Sequence, residues 1–167
     1  MKLILTGHDY SGKSTVLNKI WEKENNGKMS YLHLSYREPT TFEFYNNTLD
    51  FSNFIMDRCF LDELIYPLVF RRKGNLTNEE AQVLLNKCRE QDIKLVILTC
   101  TDDEIRRRIS LRKNIEEEPE VLLNISMIKN MYIQYATLFG IPIVDTTEKT
   151  PEEIISEIEA INIHKIK

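Results

Sequence analysis

Gly7-His8-Asp9-Tyr10-Ser11-Gly12-Lys13-Ser14 sets two glycines five apart and follows the second with a lysine and a hydroxyl. This spacing wraps phosphate. Glycines let backbone N–H groups turn inward, the lysine ammonium reaches the β and γ oxygens, and the Ser14 hydroxyl can take a place on Mg2+. An idle Gly-rich turn needs neither the Lys-Ser pair nor a place between the first strand and the first helix, where this segment stands. Three other places carry charge of the kind phosphoryl chemistry uses. Asp57-Arg58 closes one apolar run, Arg37-Glu38-Pro39 closes another, and Arg108 and Arg112 stand four apart in a helix-patterned segment. Alone, these read as a surface ion pair, a Pro-ended strand and a solvated helix face. Beside a phosphate loop, guanidinium groups match the charge that spreads over a transferring phosphoryl group. The loop alone serves kinases, ATPases and GTPases, and the base-reading and switch motifs of a GTPase are not found.

The elements that must position these residues alternate. Apolar, β-favouring runs over residues 2–6, 30–36, 51–57, 93–99 and 141–144 read as strands, separated by helical patterns. Leu95-Val96-Ile97-Leu98 is apolar without interruption, which suits a strand covered on both faces of a parallel sheet. A helix is expected over residues 15–24 directly after the loop, and another over residues 101–113 that puts Arg108 and Arg112 on one face. Thr77 with Glu80, Thr101 with Glu104, and Thr150-Pro151 with Glu153 mark helix starts by the capping-box or proline-first-turn pattern. Pro67 interrupts a helix beginning near Cys59, so a kink is expected there. Residues 121–139 are apolar nearly all round, with Met127, Met131, Tyr132 and Tyr135 on several faces, which means deep burial or a homodimer surface. His8, His33 and His164 have no partner pattern and read as structural, His33 as a core or sheet-face residue.

Length and charge bound the function. A chain of 167 residues, 42% hydrophobic and 29% charged, suits one folded domain without repeats or linkers. No apolar run approaches a membrane span. The start, Met1-Lys2-Leu3-Ile4-Leu5-Thr6-Gly7, lacks a secretion signal, so a cytoplasmic place is expected. Cys59, Cys88 and Cys100 lack metal or redox spacing and read as buried thiols. A net charge of −4 argues against a general nucleic-acid binder, although Arg106, Arg107, Arg108, Arg112 and Lys113 cluster just before Glu116, Glu117, Glu118 and Glu120. That basic-to-acidic stretch, near residues 108–120, is the expected mobile lid.

Taken together the motifs resemble the thymidylate kinase family. The loop with Asp at its third position, Arg37-Glu38-Pro39-Thr40-Thr41, Asp57-Arg58, Tyr66 eight residues on, and Val144-Asp145-Thr146-Thr147 are similar to that family's segments. Arg108-Ile109-Ser110-Leu111-Arg112 resembles a lid motif shared with deoxynucleoside kinases. The resemblance implies a three-layer α/β/α P-loop fold with a five-stranded parallel sheet in the order 2-3-1-4-5. It implies an ATP- and Mg2+-dependent kinase for dTMP, dUMP or a modified pyrimidine monophosphate, in a compact phage-type form acting in the host cytoplasm if viral.

By the same resemblance Gly7, Tyr10, Ser11, Gly12, Lys13, Ser14 and Thr15 hold ATP phosphates, with Ser14 and Asp57 on the metal. Arg58 bridges donor and acceptor phosphates, Arg112 neutralises the transferring group, and Arg108, Asp145 and Thr146 lie by adenine. Asp9 meets the acceptor sugar, Tyr66 disfavours a 2′-hydroxyl, and Asp57 or Glu38 positions Mg2+ or the acceptor, with Arg37, Pro39 and Phe42 as further candidate acceptor contacts. The chain departs from the family between Pro39 and Asp57, where helices carrying an acceptor-phosphate arginine and a base-stacking aromatic are usual. Phe42, Phe44 and Tyr45 could supply a ring or could pack the core, and Arg37, Arg71 or Arg72 could reach a phosphate. An alternative is therefore a deoxynucleoside kinase with Glu38 as base toward the 5′-hydroxyl. Further off stand a nucleotide binder without catalysis and a nucleic-acid kinase.

Overall fold

Side chains alternate across a strand, and here the central strands are apolar on both alternations. In the computed structural model, which describes residues 1–25, 27–35, 40–112 and 119–162, this builds one sheet with helices on both faces. The order is β1 (Lys2–Thr6), α1 (Lys13–Glu24), β2 (Ser30–His33), α2 (Phe42–Thr48), β3 (Phe54–Asp57), α3 (Asp62–Val69), α4 (Asn78–Glu90), β4 (Lys94–Thr99), α5 (Asp102–Leu111), α6 (Pro119–Phe139), β5 (Ile143–Asp145) and α7 (Pro151–Ala160). The five strands pair in the order β2-β3-β1-β4-β5, every pairing parallel.

The sheet divides the core. Ile4, Phe54, Met56, Leu95 and Ile97 face one cluster, packed against Leu64, Ile65, Leu84, Leu85, Ile128 and Tyr132. Leu3, Leu5, Ile55, Val96 and Leu98 face the other, packed against Val16, Leu17 and Ile20 of α1 and Ile154 and Ile158 of α7. Each such side chain fully buried stabilises the fold by about 1.5–3 kcal/mol relative to exposure. A small third cluster of Tyr10, Cys100, Ile105 and Ile125 ties the phosphate loop to α5 and α6.

Local rules place the helix starts. Thr77 with Glu80 and Thr150 with Glu153 form complete capping boxes, Pro151 standing in the first turn. Thr101 caps α5 by accepting from the Glu104 N–H, but the Glu104 carboxylate does not close a box. It accepts instead from Arg107 and Arg108, because two guanidinium groups outbid one backbone N–H.

Several boundaries correct the sequence reading. β2 ends at His33 and β3 begins at Phe54, since the turn over residues 49–53 intervenes. α3 begins at Asp62, after the backbone turns at Arg58, and stops two residues past Pro67. α5 ends at Leu111, leaving Arg112 extended with φ −80° and ψ 130°, so Arg108 and Arg112 do not share a helix face. Within the 40–53 stretch lies the short α2, with Tyr45 buried in the core, Phe42 partly buried and Phe44 exposed. α6 buries Val121, Ile125, Ile128, Tyr132, Ala136 and Phe139 and exposes Leu123, Met127 and Leu138 on the other side. The three cysteines are free and buried. Among the described residues no helix is long and apolar enough to cross a membrane.

Candidate active site

Parallel strands all end on the same edge, so the loops after β1, β2, β3, β4 and β5 converge there. Gly7 and Gly12 make the first loop possible. A Cβ at Gly7, where φ is 139°, would stand 2.1 Å from the Leu98 carbonyl oxygen of β4. Gly12, with φ 93°, is the N-cap of α1, and no side chain caps that helix or puts an acid in its first turn. An uncapped helix start presents N–H groups and a positive dipole end, which favours an anion. Lys13 folds back over the loop and donates to the Gly7 and His8 carbonyls, both at 2.8 Å. Burial, and next the nearby Arg58 charge, push the Lys13 ammonium below the ordinary lysine value.

Ser14 and Asp57 meet across the edge. The Ser14 hydroxyl donates to Asp57 Oδ2 at 2.6 Å, and His33 Nδ1 lies 3.1 Å from the same oxygen. Asp57 Oδ1 is buried and has no hydrogen-bond partner among the described residues. Burial raises the proton affinity of this carboxyl, but the His33 hydrogen bond, the Lys13 charge and the Ser14 hydrogen bond outweigh it, and the group is held below the usual carboxylate range. An ionised, buried oxygen without a donor, beside a hydroxyl and a phosphate loop, is a donor set that fits Mg2+. No group of three or more His, Cys, Asp or Glu that could hold a metal occurs among the described residues, and Mg2+ at phosphates needs only one or two protein carboxylates.

Arg58 is the centre of a second constellation. Its φ of 76° bends the chain sharply at the end of β3, a conformation that costs a non-glycine residue roughly 1–2 kcal/mol. Its guanidinium donates to Asp9 Oδ1 at 2.6 Å, to the Tyr66 hydroxyl at 2.9 Å and to Asp62 Oδ1 at 3.2 Å. Tyr66 in turn donates to Asp9 Oδ2 at 3.0 Å. Burial acts to raise the Asp9 proton affinity, but the Arg58 and Lys13 charges prevail and lower it. Behind them Asp62 accepts from Thr6, Cys59 N–H and Tyr132 as well, so α3 and α6 hold the arginine from behind. Glu63 is also buried, accepting from the Thr40 N–H and the Tyr45 hydroxyl, and burial raises its proton affinity.

The remaining cations come from α5 and the residue just past it. Arg108 donates to the Tyr10 carbonyl at 2.7 Å, to the Thr146 hydroxyl and carbonyl at 3.1 and 2.7 Å, and to Glu104 at 2.7 Å. Thr146 is buried, its hydroxyl 2.9 Å from the Ser11 carbonyl. The adjacent Asp145 is exposed and accepts from the Thr147 N–H and hydroxyl. Arg112 lies over the Tyr10 ring, 4.8 Å from its centre.

The sheet order and the loop decide the fold. It is that of the P-loop kinases. The chain superposes on YorR of Bacillus subtilis, solved in complex with phosphorylated GDP, with a TM-score of 0.75 at 23% identity over 94% of this chain and 93% of that one. A thymidylate kinase from Candida albicans gives 0.62 at 20% identity over 99% and 92%. A deoxyadenosine kinase from M. mycoides with bound dATP gives 0.53 at 14% identity over 95% and 97%. No protein-family model and no curated protein matches the sequence. At these identities the likeness is one of fold.

Within this P-loop kinase fold, Lys13, Ser14, Asp57, Asp9, Arg58 and Tyr66 come together as linked contacts. Gly7, Tyr10, Ser11, Gly12, Arg108 and Thr146 form the adjoining side. Phe42 packs partly against the core. Arg37, Glu38 and Pro39, Glu116 to Glu118, and His164 lie outside the described residues, as do residues 113–118 of the expected lid. Of the two readings of His33, the core one is overturned: its side chain is 59% exposed at the end of β2. Sequence reasoning missed Asp62 and Glu63. Their signal was there, two adjacent carboxylates inside Phe60-Leu61-Asp62-Glu63-Leu64-Ile65, since charge within an apolar run implies a buried partner.

Proposed function

We propose that the chain is an ATP- and Mg2+-dependent kinase that phosphorylates a deoxynucleoside monophosphate, dTMP, dUMP or a modified pyrimidine nucleotide, to the diphosphate. The observation that supports it most is the meeting at one sheet edge of Lys13, the partnerless Asp57 oxygen and the Arg58 constellation. A loop that only bound nucleotide would need the first of these alone.

In this reading the triphosphate lies along residues 7–15, and its oxygens replace the Gly7 and His8 carbonyls as partners of Lys13. Ser14 and Asp57 would hold Mg2+, which supplies charge neutralisation between donor phosphates. Arg108, anchored by Glu104, Tyr10 and Thr146, offers the face of its guanidinium to adenine near Asp145. Arg58 reaches between donor and acceptor, with Asp9 and Tyr66 fixing its plane. An acceptor phosphate oxygen forms a bond to the γ-phosphorus as the bond to the β–γ bridging oxygen breaks, and ADP leaves. The protein's part is orientation and placed positive charge rather than covalent chemistry.

The test is ADP release with ATP and Mg2+ across deoxynucleosides and their 5′-monophosphates, including thymine, uracil, cytosine and modified-pyrimidine members. Turnover of monophosphates only is the expected result and names the base. Turnover of nucleosides replaces this reading with the deoxynucleoside kinase that uses Glu38 as base. No turnover with ATP still bound overturns both.

A further inference from the structure

The chemistry of a phosphate loop asks only backbone N–H groups of the position that Tyr10 occupies, yet a tyrosine stands there with a φ of 65°. Its ring is buried, 7% exposed, in the cluster with Cys100, Ile105 and Ile125. Its carbonyl accepts from Arg108 at 2.7 Å and from the Cys100 thiol at 3.7 Å. The ring is therefore locked from the backbone and from one side. The Arg112 guanidinium carbon stands 4.8 Å from the ring centre. Arg112 reaches there because α5 stops one residue earlier and the backbone at Arg112 turns extended, its N–H donating to the Ile109 carbonyl at 3.1 Å. A guanidinium on four rotatable bonds samples many positions, and attraction to a fixed aromatic face concentrates it at one.

We propose that Tyr10 is a positioning residue: its ring holds the Arg112 guanidinium beside the phosphate loop, where it meets the terminal phosphate of a bound nucleoside triphosphate. The catalytic half of this rests on the kinase reading above; the binding half rests on the ring geometry alone. The ring belongs to the loop that touches the triphosphate, so the arginine is registered to the phosphates rather than to the helix that carries it.

The experiment is a double-mutant cycle over wild type, Tyr10→Leu, Arg112→Ala and the double variant, with Tyr10→Phe as the rescue. Two quantities are read in each: kcat and KM for ATP, and the ratio of Mg·ATP to Mg·ADP affinity by calorimetry. Tyr10→Leu is expected to lower kcat and the affinity ratio about 3- to 30-fold, the range of a cation–π contact, with a smaller change in KM. Tyr10→Phe keeps the ring and recovers most of the loss. In the Arg112→Ala background, Tyr10→Leu adds less than about 2-fold, because there is no guanidinium left to place. Losses that multiply, a Phe variant as impaired as the Leu variant, or a wild type that binds ATP no better than ADP would each overturn the proposal. A wild type that turns over no acceptor sinks the kinase reading instead, and the affinity cycle still decides Tyr10. Unfolding midpoints of the five proteins separate loss of placement from loss of fold.

Discussion

On the proposed reading, Lys13 is a side chain that is buried and yet serves a ligand. Its ammonium is held by two carbonyls of its own loop, partners that phosphate oxygens would replace on that reading. Lys13→Ala is expected to lower kcat/KM by on the order of 10²-fold or more while the unfolding midpoint stays nearly constant, since water can satisfy the released carbonyls. A wild-type rate in that variant would remove the phosphate-loop assignment. Asp57 makes a different demand. If the proposed Mg2+ completes its unpartnered oxygen, Asp57→Asn should raise the Mg2+ concentration for half-maximal rate about tenfold or more. A titration of rate against Mg2+ in both proteins checks this, and an unchanged midpoint would place the metal elsewhere.

At the scale of elements, Glu104 ties together the first and last turns of α5. This carboxylate is buried and accepts from both Arg107 and Arg108. The Arg107 hydrogen bonds first, then Arg108 against the opposing effect of burial, bring its pKa from 4.5 down to about 2. The folded pKa is depressed, so the unfolded chain binds the proton first as pH falls. The stabilisation is full above pH 4.5 and is lost toward pH 2. Wild type should therefore exceed Glu104→Gln in urea midpoint by a constant gap above about pH 5, and the gap should close below pH 4.5. A gap independent of pH would show that packing, not charge, ties α5 to the loop. The same variant removes the ionic one of Arg108's anchors, so on the proposed reading ATP affinity should fall together with stability, whereas an ordinary surface ion pair would change neither by much.

For the whole molecule, acid stability should turn on His8, which joins the first loop to the end of β4. Its ring is wholly buried, Nδ1 facing the Asp9 carbonyl at 2.7 Å and Nε2 facing the Cys100 N–H at 3.3 Å, an arrangement for one neutral tautomer. Burial lowers its pKa from 6.5 to about 4. As pH falls across that window the unfolded state takes up the proton and the folded state does not, so stability declines, by about 3 kcal/mol over the full 2.5 units. Urea unfolding between pH 7 and pH 4 in wild type and His8→Gln should show that slope in the first and not in the second. A folded-state His8 titrating near 6.5 by NMR would discard the explanation. The pattern of the whole sequence already determined much. Residues 7–14 announced a phosphate loop, because backbone wrapping needs glycine at set positions. The uninterrupted apolar runs implied a sheet covered on both faces, because each alternation had to be buried. Thr77 and Thr150 marked helix starts, because a cap is satisfied within four residues. What lay beyond local spacing was decided by tertiary packing. Asp62 came under Arg58 from a helix, held also by Tyr132 seventy residues later. Glu104 bonds two arginines instead of closing its cap, and Arg112 stands just past its helix, over a ring in the phosphate loop. His33 came to Asp57 only through the parallel register of β2 on β3. Spacing along a chain fixes neighbours a few residues apart, whereas the partner of a buried charge is set by which strands lie side by side.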